Sequence, residues 1–496
     1  MIQPRTSLTG SFIRMLPAGL LYASGKVVKM GFKVRILDMR IGNPSSWQND
    51  LISHISPNTI AAGITVMSGV SVLESLKISR YIKQHFPDIR IIWGGPHPTF
   101  SGDEILEEPA IDFAVRGYGE DSFCRLMEII QNGGDEAPLE KIPGLVFRNK
   151  AGGIISNPVA NQFEFIDYRD IPYGLITDFN AYKNINLKER VFPVYSVMGC
   201  PYRCAFCSSP AQYADFPKKW QPYPAEDVLA HIKLIYEKYG AGFVYFIDDD
   251  SFVDLRHVER IIDGIKELKI NIKLGFRGAR VNEILAMEDT FLEKLAVAGT
   301  NALHIGAESG SDRILKLMQK NITVQDIIAV NRKLAKHPEI QVFYNFIVGF
   351  PTETMEETKM TRDLILQLIK DNPACSVIPL NKPRPLPGTA LYELSLEHGY
   401  RPPRTLEDWG NYDVESSDYQ PVWLSKKHNQ FIRMMFLCMY FIDKKIFKFT
   451  CRTDIRFIFL RALAFLYRPI AILRFKSGFA GLLIEDWVYN IVKKIV

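Results

Sequence analysis

Three cysteines within one short segment constrain this chain more than any other feature. The segment Gly199-Cys-Pro-Tyr-Arg-Cys-Ala-Phe-Cys207 follows an apolar run, Val191–Met198, that reads as a β-strand. Thiolates spaced C-x3-C-x2-C can wrap one corner of a cube-shaped [4Fe-4S] cluster. Three ligands leave one of the four irons without a protein ligand, and a second molecule can chelate that open iron. Zinc and buried structural cysteines are the plainer alternatives. Structural zinc takes four ligands, yet the next cysteine after Cys207 is Cys375 and the nearest histidine is His231.

Around this segment the chain alternates strands and helices in two series. In residues 1–135 the candidate strands are Lys33–Asp38, Thr59–Thr65, Arg90–Gly94 and Ile111–Val115. Candidate helices are Gly19–Met30, Val72–His85 and Glu120–Gln131. This rhythm predicts a parallel, doubly wound, Rossmann-like sheet whose ligand sits at the carboxyl ends of its strands. The loops there, Thr65–Gly69, Gly94–Thr99 and Gly117–Glu120, contain the small and polar residues that let a backbone approach a ligand. No G-x-G-x-x-G follows an early strand, which disfavours a plain NAD domain. Residues 136–190 read as an irregular linker. A second series over 191–400 has strands expected at Val191–Met198, Phe243–Ile247, Lys273–Phe276, Ala302–Ile305, Val342–Val348 and Ser376–Leu380. Six such strands predict a partial or full β/α barrel with its chemistry at the carboxyl ends. Residues 401–496 read as mostly helical. The fold class is therefore α/β with a helical C-terminal region.

The 496 residues suffice for two to four cores. Seven cysteines, only three of them clustered, do not make a disulfide framework, and a reduced, cytoplasmic setting is expected. The N-terminus has no apolar signal-type run, and no stretch is long and uncharged enough to span a bilayer.

The cysteine spacing, with Phe206 before the last cysteine, resembles that of the radical S-adenosylmethionine (SAM) superfamily. Four later segments are similar to signposts of that superfamily. They are Phe246-Ile-Asp-Asp-Asp-Ser-Phe252, His304-Ile-Gly-Ala-Glu-Ser-Gly310, Gly349-Phe-Pro-Thr-Glu353 and Pro385-Leu-Pro-Gly-Thr-Ala-Leu391. With a doubly wound domain ahead of it, carrying ITVMSG, WGGPHPTF and RGYGE loops, the chain resembles the cobalamin (B12)-binding subgroup. That subgroup includes C-methyltransferases and the anaerobic magnesium-protoporphyrin IX monomethyl ester cyclase type.

The resemblance implies a cluster on Cys200, Cys204 and Cys207. It implies SAM beside Asp248, Asp249, Glu308, Gly349 and Pro351. Cobalamin is implied at Thr65, Ser68, Gly94, Gly95, His97, Gly117 and Gly119. Mutase-type cobalamin domains place a histidine below cobalt, where this chain has Asp38-Met-Arg-Ile-Gly42. Arg40 stays protonated and cannot ligate, so cobalamin without a protein ligand is expected. His97 is expected to pack beside the ligand or shape its turn. Only Met1–Pro4 remain of the first strand that such domains carry, so that strand is expected to be missing. Arg277 and Arg280 are open to salt-bridge duty or a role in the site.

The function implied is reductive cleavage of SAM to a 5′-deoxyadenosyl radical that modifies an unactivated carbon, with C-methylation foremost. An oxidative cyclase or rearrangement without methyl transfer is the alternative. A non-catalytic sensor or electron carrier is the alternative of another class, and a tRNA methylthiotransferase shares the barrel. Expected partners are a small-molecule substrate, apolar in one reading, and a reductant such as flavodoxin or ferredoxin, with no nucleic acid. Residues 426–496 hold 14 Lys and Arg against 4 Asp and Glu, +10 in a chain of +5. Arg456, Arg461, Arg468 and Arg474 fall on less than half of a helical wheel. The tail is either a helical cap on the barrel with its arginines in water, the simpler reading, or a peripheral contact with the anionic inner face of a membrane.

Overall fold

The computed structural model describes residues 1–6, 15–133, 137–182, 189–377, 380–410, 412, 419–443 and 458–481. Short β-branched runs flanked by glycine give the first sheet. Its strands are β1 (Ile2–Gln3), β2 (Leu37–Asp38), β3 (Ala61–Thr65), β4 (Arg90–Gly94), β5 (Phe113–Val115), β6 (Leu145–Arg148) and β7 (Ile154–Ser156), in the order β2-β1-β3-β4-β5-β6-β7. The first five are parallel, and β6 and β7 continue the sheet antiparallel.

Two expectations are corrected here. The opening strand is present: Ile2 pairs with both Leu37 and Ile64, inside the sheet. The supposed linker supplies a hairpin, in which Val146, Phe147 and Leu145 pair with β5 and are fully buried. Of the strand expected over Lys33–Asp38, only Leu37–Asp38 pairs.

The second unit is a six-stranded parallel sheet in the order β15-β14-β13-β12-β11-β8. Its strands are β8 (Arg190–Val194), β11 (Ala241–Phe246), β12 (Lys273–Arg280), β13 (Thr300–Glu308), β14 (Gln341–Phe346) and β15 (Cys375–Val377). Among the described residues β8 and β15 remain edges, so the barrel is partial. Residues 378–379 of the expected last strand lie outside the described residues. The run Val191–Met198 is two strands. After β8 the chain turns at Tyr195-Ser196, and β9 (Val197–Gly199) pairs antiparallel with β10 (Trp220–Pro222). Alternate residues such as Val244, Phe246, Leu274, Phe276, Leu303 and Ile305 bury against the outer helices, so their neighbours face the lumen.

The two units share a core. Leu21 and Tyr22 of the helix Ala18–Lys29 pack into the barrel's cluster, with Tyr22 edge-on to Tyr195. Past residue 400 the chain ties them together. Glu407 pairs with Arg80 of the first unit at 2.8 Å, and Trp423 Nε1 donates to Gly349 O of the second at 2.8 Å. Among the described residues no helix is long and apolar enough to cross a membrane.

Candidate functional site

The carboxyl ends of β8, β11, β12, β13 and β14 converge on one edge, and the cysteine loop lies there. It is held from three sides. Ala205 N donates to Met318 O at 2.9 Å, Leu391 N donates to Ala205 O at 2.8 Å, and Arg280 Nη1 donates to Cys204 Sγ at 3.1 Å. The Pro385–Leu391 segment thus buttresses the loop: Thr389 caps the helix Ala390–Glu397, whose second residue makes the contact. Cys204 is buried and Cys200 and Cys207 are partly exposed. Among the described residues, no three His, Cys, Asp or Glu side chains converge on the position of a single ion. A [4Fe-4S] cube would take one thiolate on each of three irons. The Arg280 guanidinium beside Cys204, stacked over Tyr202 at 3.7 Å, adds the positive charge that an assembly of thiolates and sulfides requires.

The three aspartates after β11 part company. Asp248 is buried and turned inward. It accepts from Ser196 N at 2.7 Å, Ser196 Oγ at 2.6 Å, Val197 N at 3.2 Å and Ser251 Oγ at 2.8 Å. The SAM contact expected of Asp248 is therefore corrected to a positioning role, because its lone pairs are committed to the corner that launches β9 and the cysteine loop. Burial still pushes its carboxyl up to about 6 against those hydrogen bonds. Asp249 is exposed at the mouth and accepts from Tyr213 Oη at 2.9 Å, while Tyr213 Oη lies 3.0 Å from Tyr118 Oη of the first unit. Asp250 is buried near Glu283, which raises its pKa in addition to burial.

Asp248→Ala should leave two backbone N–H groups and two hydroxyls without their acceptor. Each unsatisfied buried donor costs about 1–3 kcal/mol. The expected outcome is a lowered melting temperature together with iron and sulfide content below half of the wild-type value after anaerobic reconstitution. A variant that loads fully would show that the corner does not position the loop.

Glu308 sits at a left-handed φ of 67° and is paired with Lys320 at 3.2 Å, both nearly inaccessible. A Cβ on Gly306 would stand 2.3 Å from Glu308 Oε1 and 2.8 Å from Lys320 Nζ, so the bare glycine makes room for this pair. A strained, buried carboxylate at the strand end is the kind of group held for a ligand. Gly349 and Phe350 donate their N–H groups to Glu353 Oε2, and Gly349 O accepts from Trp423. Gly349's own peptide groups are therefore taken, and Pro351 is buried beside them. The two residues form a closed turn that fixes the loop after β14.

At the edge of the first sheet the expected loops lie side by side. Gly94 borders open space, with nothing within 4 Å of an added Cβ. Gly95, at φ 96°, backs onto Thr65 Oγ1 at 2.9 Å. Gly117 packs against Val159 and Gly119 against Val115. His97 Nδ1 lies 3.0 Å from both Ser68 Oγ and Ser101 Oγ, and its ring meets Trp409 edge-on at 5.1 Å. Ser68 and His97 thus engage each other. Burial lowers the His97 pKa to about 3, so the ring is neutral. The buried atoms His97 Nε2 and Trp409 Nε1 have no partner. Met67, in the loop after β3, is half exposed. Open space beside Gly94 and the exposed Met67 leave room for a bulky ligand at this end of the sheet, while His97 and Trp409 are buried and keep one ring nitrogen each without a partner among the described residues. Arg40 does not intrude, being held by Asp38 through bonds of 2.9 and 2.6 Å and by Met15 O.

Lys320, Tyr202, Trp409 and Trp423 escaped the reading of the sequence. Tyr202 lies inside the cysteine segment, but no spacing rule links the other three to the motifs they support; only the adjacency of β13 and its following helix points to Lys320.

Residues 194–365 match the radical SAM superfamily, and residues 14–127 match the B12 binding domain. The chain is 29% identical to an uncharacterised methyltransferase of Pyrococcus horikoshii, over 77% of its length and 78% of that protein. It is 27% identical to the anaerobic magnesium-protoporphyrin IX monomethyl ester cyclase of Rubrivivax gelatinosus, over 70% of its length and 62% of that protein. Its fold is similar to that of the cobalamin-dependent SAM radical enzyme OxsB, with a TM-score of 0.70 at 16% identity, covering all of this chain and 75% of that one. It is also similar to the radical SAM methyltransferase TsrM from Kitasatospora setae, with a TM-score of 0.62 at 17% identity, covering 80% of this chain and 74% of that one.

Proposed function

Because the chain is a cobalamin-binding radical SAM enzyme, its B12-binding domain joined to a radical SAM domain, we propose that it methylates an unactivated carbon of a small molecule held in the barrel. The observation that supports this reading is the contact between the units at their strand ends, where Tyr118 of the loop after β5 meets Tyr213 at 3.0 Å and Tyr213 donates to Asp249 after β11 at 2.9 Å. When bound, the cluster with SAM supplies a hydrogen-abstracting radical and cobalamin supplies a methyl group. The chain's own tasks are positional. Cys200, Cys204 and Cys207 hold the cluster, Arg280 balances its charge, and Glu308 with Lys320 offers a fixed polar pair to SAM. Gly94, Gly95, His97 and Trp409 line the cobalamin crevice. The rings of Tyr118, Phe163, Tyr213 and Phe216 pack together between the units and would help to keep water from a site beside them. An external one-electron reductant completes the system.

The test is anaerobic reconstitution with iron, sulfide and hydroxocobalamin, followed by SAM and reductant, with 5′-deoxyadenosine and S-adenosylhomocysteine quantified separately by mass spectrometry. Methylation predicts both products, whereas 5′-deoxyadenosine alone contradicts methyl transfer and favours cyclase-type chemistry.

The C-terminal helix Ile458–Ser477 supports a peripheral contact with an anionic bilayer as part of the same reading. Phe465, Leu466 and Leu473 are each about two-thirds exposed (68%, 71% and 68%), and Ile470 is 52% exposed on the same face. Arg474, expected in water, is buried and donates to Gly481 O at 2.7 Å. Arg456 and the side chains of Phe457, Phe459 and Arg461 lie outside the described residues. An apolar stripe beside Lys476, in a tail of +10, has the composition of an interfacial helix. The full chain should float with phosphatidylglycerol vesicles and not with phosphatidylcholine ones. Leu466→Glu with Leu473→Glu should abolish flotation at unchanged iron content. Protein that ignores anionic vesicles at low salt, or that hides the stripe by pairing with a second copy, would reject the contact.

A further inference from the structure

A chain of hydrogen bonds crosses the junction between the two units and ends on Asp249. Of the three aspartates after β11, Asp249 is exposed, whereas Asp248 and Asp250 are buried. Its Oδ2 accepts from Tyr213 Oη at 2.9 Å, and Tyr213 Oη lies 3.0 Å from Tyr118 Oη. A carboxylate only accepts, so the single Tyr213 hydrogen is spent on Asp249 and Tyr118 must donate to Tyr213. Burial raises the pKa of both phenols, so both stay protonated and both bonds keep that direction. The two rings stack at an interplanar angle of 11°, and Phe163 meets each of them edge-on, which fixes the oxygens. Behind Asp249, a Cβ on Gly278 would stand 2.6 Å from Asp249 O, so the aspartate's backbone is pressed against β12.

The same chain runs back into the first unit. Tyr118 stands between Gly117 and Gly119 in the loop after β5. Gly117 N donates to Thr99 Oγ1 at 3.0 Å, and Thr99 Oγ1 donates to Gly95 O at 3.0 Å. Gly95 backs onto Thr65 Oγ1 at the end of β3, and His97 N donates to Val66 O at 2.9 Å. The three loops expected to hold cobalamin are thus tied to one another, and Tyr118 carries the connection into the second unit. Hydrogen bonds in such a chain polarise one another. A ligand seated on the loops orders the chain, and a second ligand at Asp249 then meets a carboxylate that is already fixed.

We propose that Tyr118 and Tyr213 are positioning residues that hold the Asp249 carboxylate for SAM and, through Thr99 and Gly95, make SAM bind more tightly when cobalamin occupies the first unit. The proposal rests on the reading of Asp249 as a neighbour of SAM and of the Gly95 loop as a neighbour of cobalamin. Its consequence is a safeguard: SAM is held firmly only when the methyl carrier is in place. Coupling between sites is reciprocal, so SAM must tighten cobalamin by the same factor.

The test is anaerobic isothermal titration of SAM into the full chain, its cluster reconstituted and oxidised, with and without hydroxocobalamin, so that neither cofactor turns over. Wild type should bind SAM about fivefold tighter or more with cobalamin present, and SAM should tighten hydroxocobalamin by the same factor. Tyr118→Phe should cut that coupling below about twofold while leaving SAM affinity without cobalamin unchanged. Tyr213→Phe should weaken SAM in both states and leave no coupling. Because the two hydroxyls act in series, Tyr118→Phe should change nothing further in the Tyr213→Phe background. Both variants keep their rings, and melting temperature with iron content checks their folding. Should Tyr213→Phe melt early, Tyr118→Phe and Thr99→Val, at partly exposed positions, carry the same test. SAM that binds no tighter with cobalamin in wild type, or coupling that survives in Tyr118→Phe, would overturn the proposal and leave the pair as packing between the units. Weakened SAM binding in Tyr118→Phe without cobalamin would overturn it too, by making that tyrosine part of the SAM site itself. A wild-type sample that takes up no cobalamin, or binds no SAM, would fail the function reading, and the two failures are thereby distinguished.

Discussion

Replacing Cys200, Cys204 and Cys207 together by Ala should abolish the [4Fe-4S] absorption and reduce formation of 5′-deoxyadenosine to background. The expected loss is total because the loop supplies the three cysteines that would hold the cluster. Folding should survive. Cys200 and Cys207 are partly exposed, and the loop's backbone is held through Ala205, which is untouched. Cobalamin occupancy and the melting temperature are the controls. Cys124→Ser should behave as wild type, since Cys124 lies on the far helix Glu120–Gln131 of the first unit. A triple variant that still assembles the cluster would remove the foundation of the account.

The second large effect concerns the first unit. Gly94→Trp should reduce cobalamin binding by at least a hundredfold while leaving the fold intact. Gly94 does not adopt a positive φ, and a Cβ there meets nothing within 4 Å, so a side chain can leave the backbone there without strain and would compete with the ligand for the space beside it. Gly95→Val is the contrasting case. At φ 96°, with Thr65 Oγ1 2.9 Å from its Cβ, it should lower the melting temperature as well. In wild type, the Co(II) form should show no nitrogen splitting from a protein ligand below cobalt, because Arg40 stays charged and tied to Asp38. Equilibrium binding of hydroxocobalamin, monitored by absorbance, reads the first effect. Undiminished binding to Gly94→Trp would move the cofactor elsewhere.

The strands and helices that were legible had strong local patterns. Arg90–Gly94 and Glu120–Gln131 have in the structure the bounds read from their residues, because an isolated apolar run and a Gly-Glu start are self-contained signals. The hairpin Leu145–Ser156 was passed over, although Asn149 and Gly153 close its turn, because its strands are short and their partner β5 is remote in sequence. The break between β8 and β9 was invisible for a related reason. It is imposed by Asp248, about fifty residues later, and only the folded chain brings that carboxylate to Ser196. The cysteine loop was readable because its ligands are consecutive. Of the SAM residues expected from motif resemblance, Asp248 and Gly349 have their hydrogen-bonding groups committed within the protein. A motif marks where a loop must be built, and motif letters do not distinguish the side chains that touch the ligand from those that hold the loop.

Electron paramagnetic resonance of the reduced, reconstituted enzyme with isotopically labelled SAM tests the central claim most directly. SAM is expected to shift the signal of the [4Fe-4S] cluster, and 15N in its amino group and 17O in its carboxylate are expected to give resolved hyperfine couplings. Those couplings would show both groups on the iron left open by Cys200, Cys204 and Cys207. A cluster signal indifferent to SAM, with no coupling from either label, would contradict it.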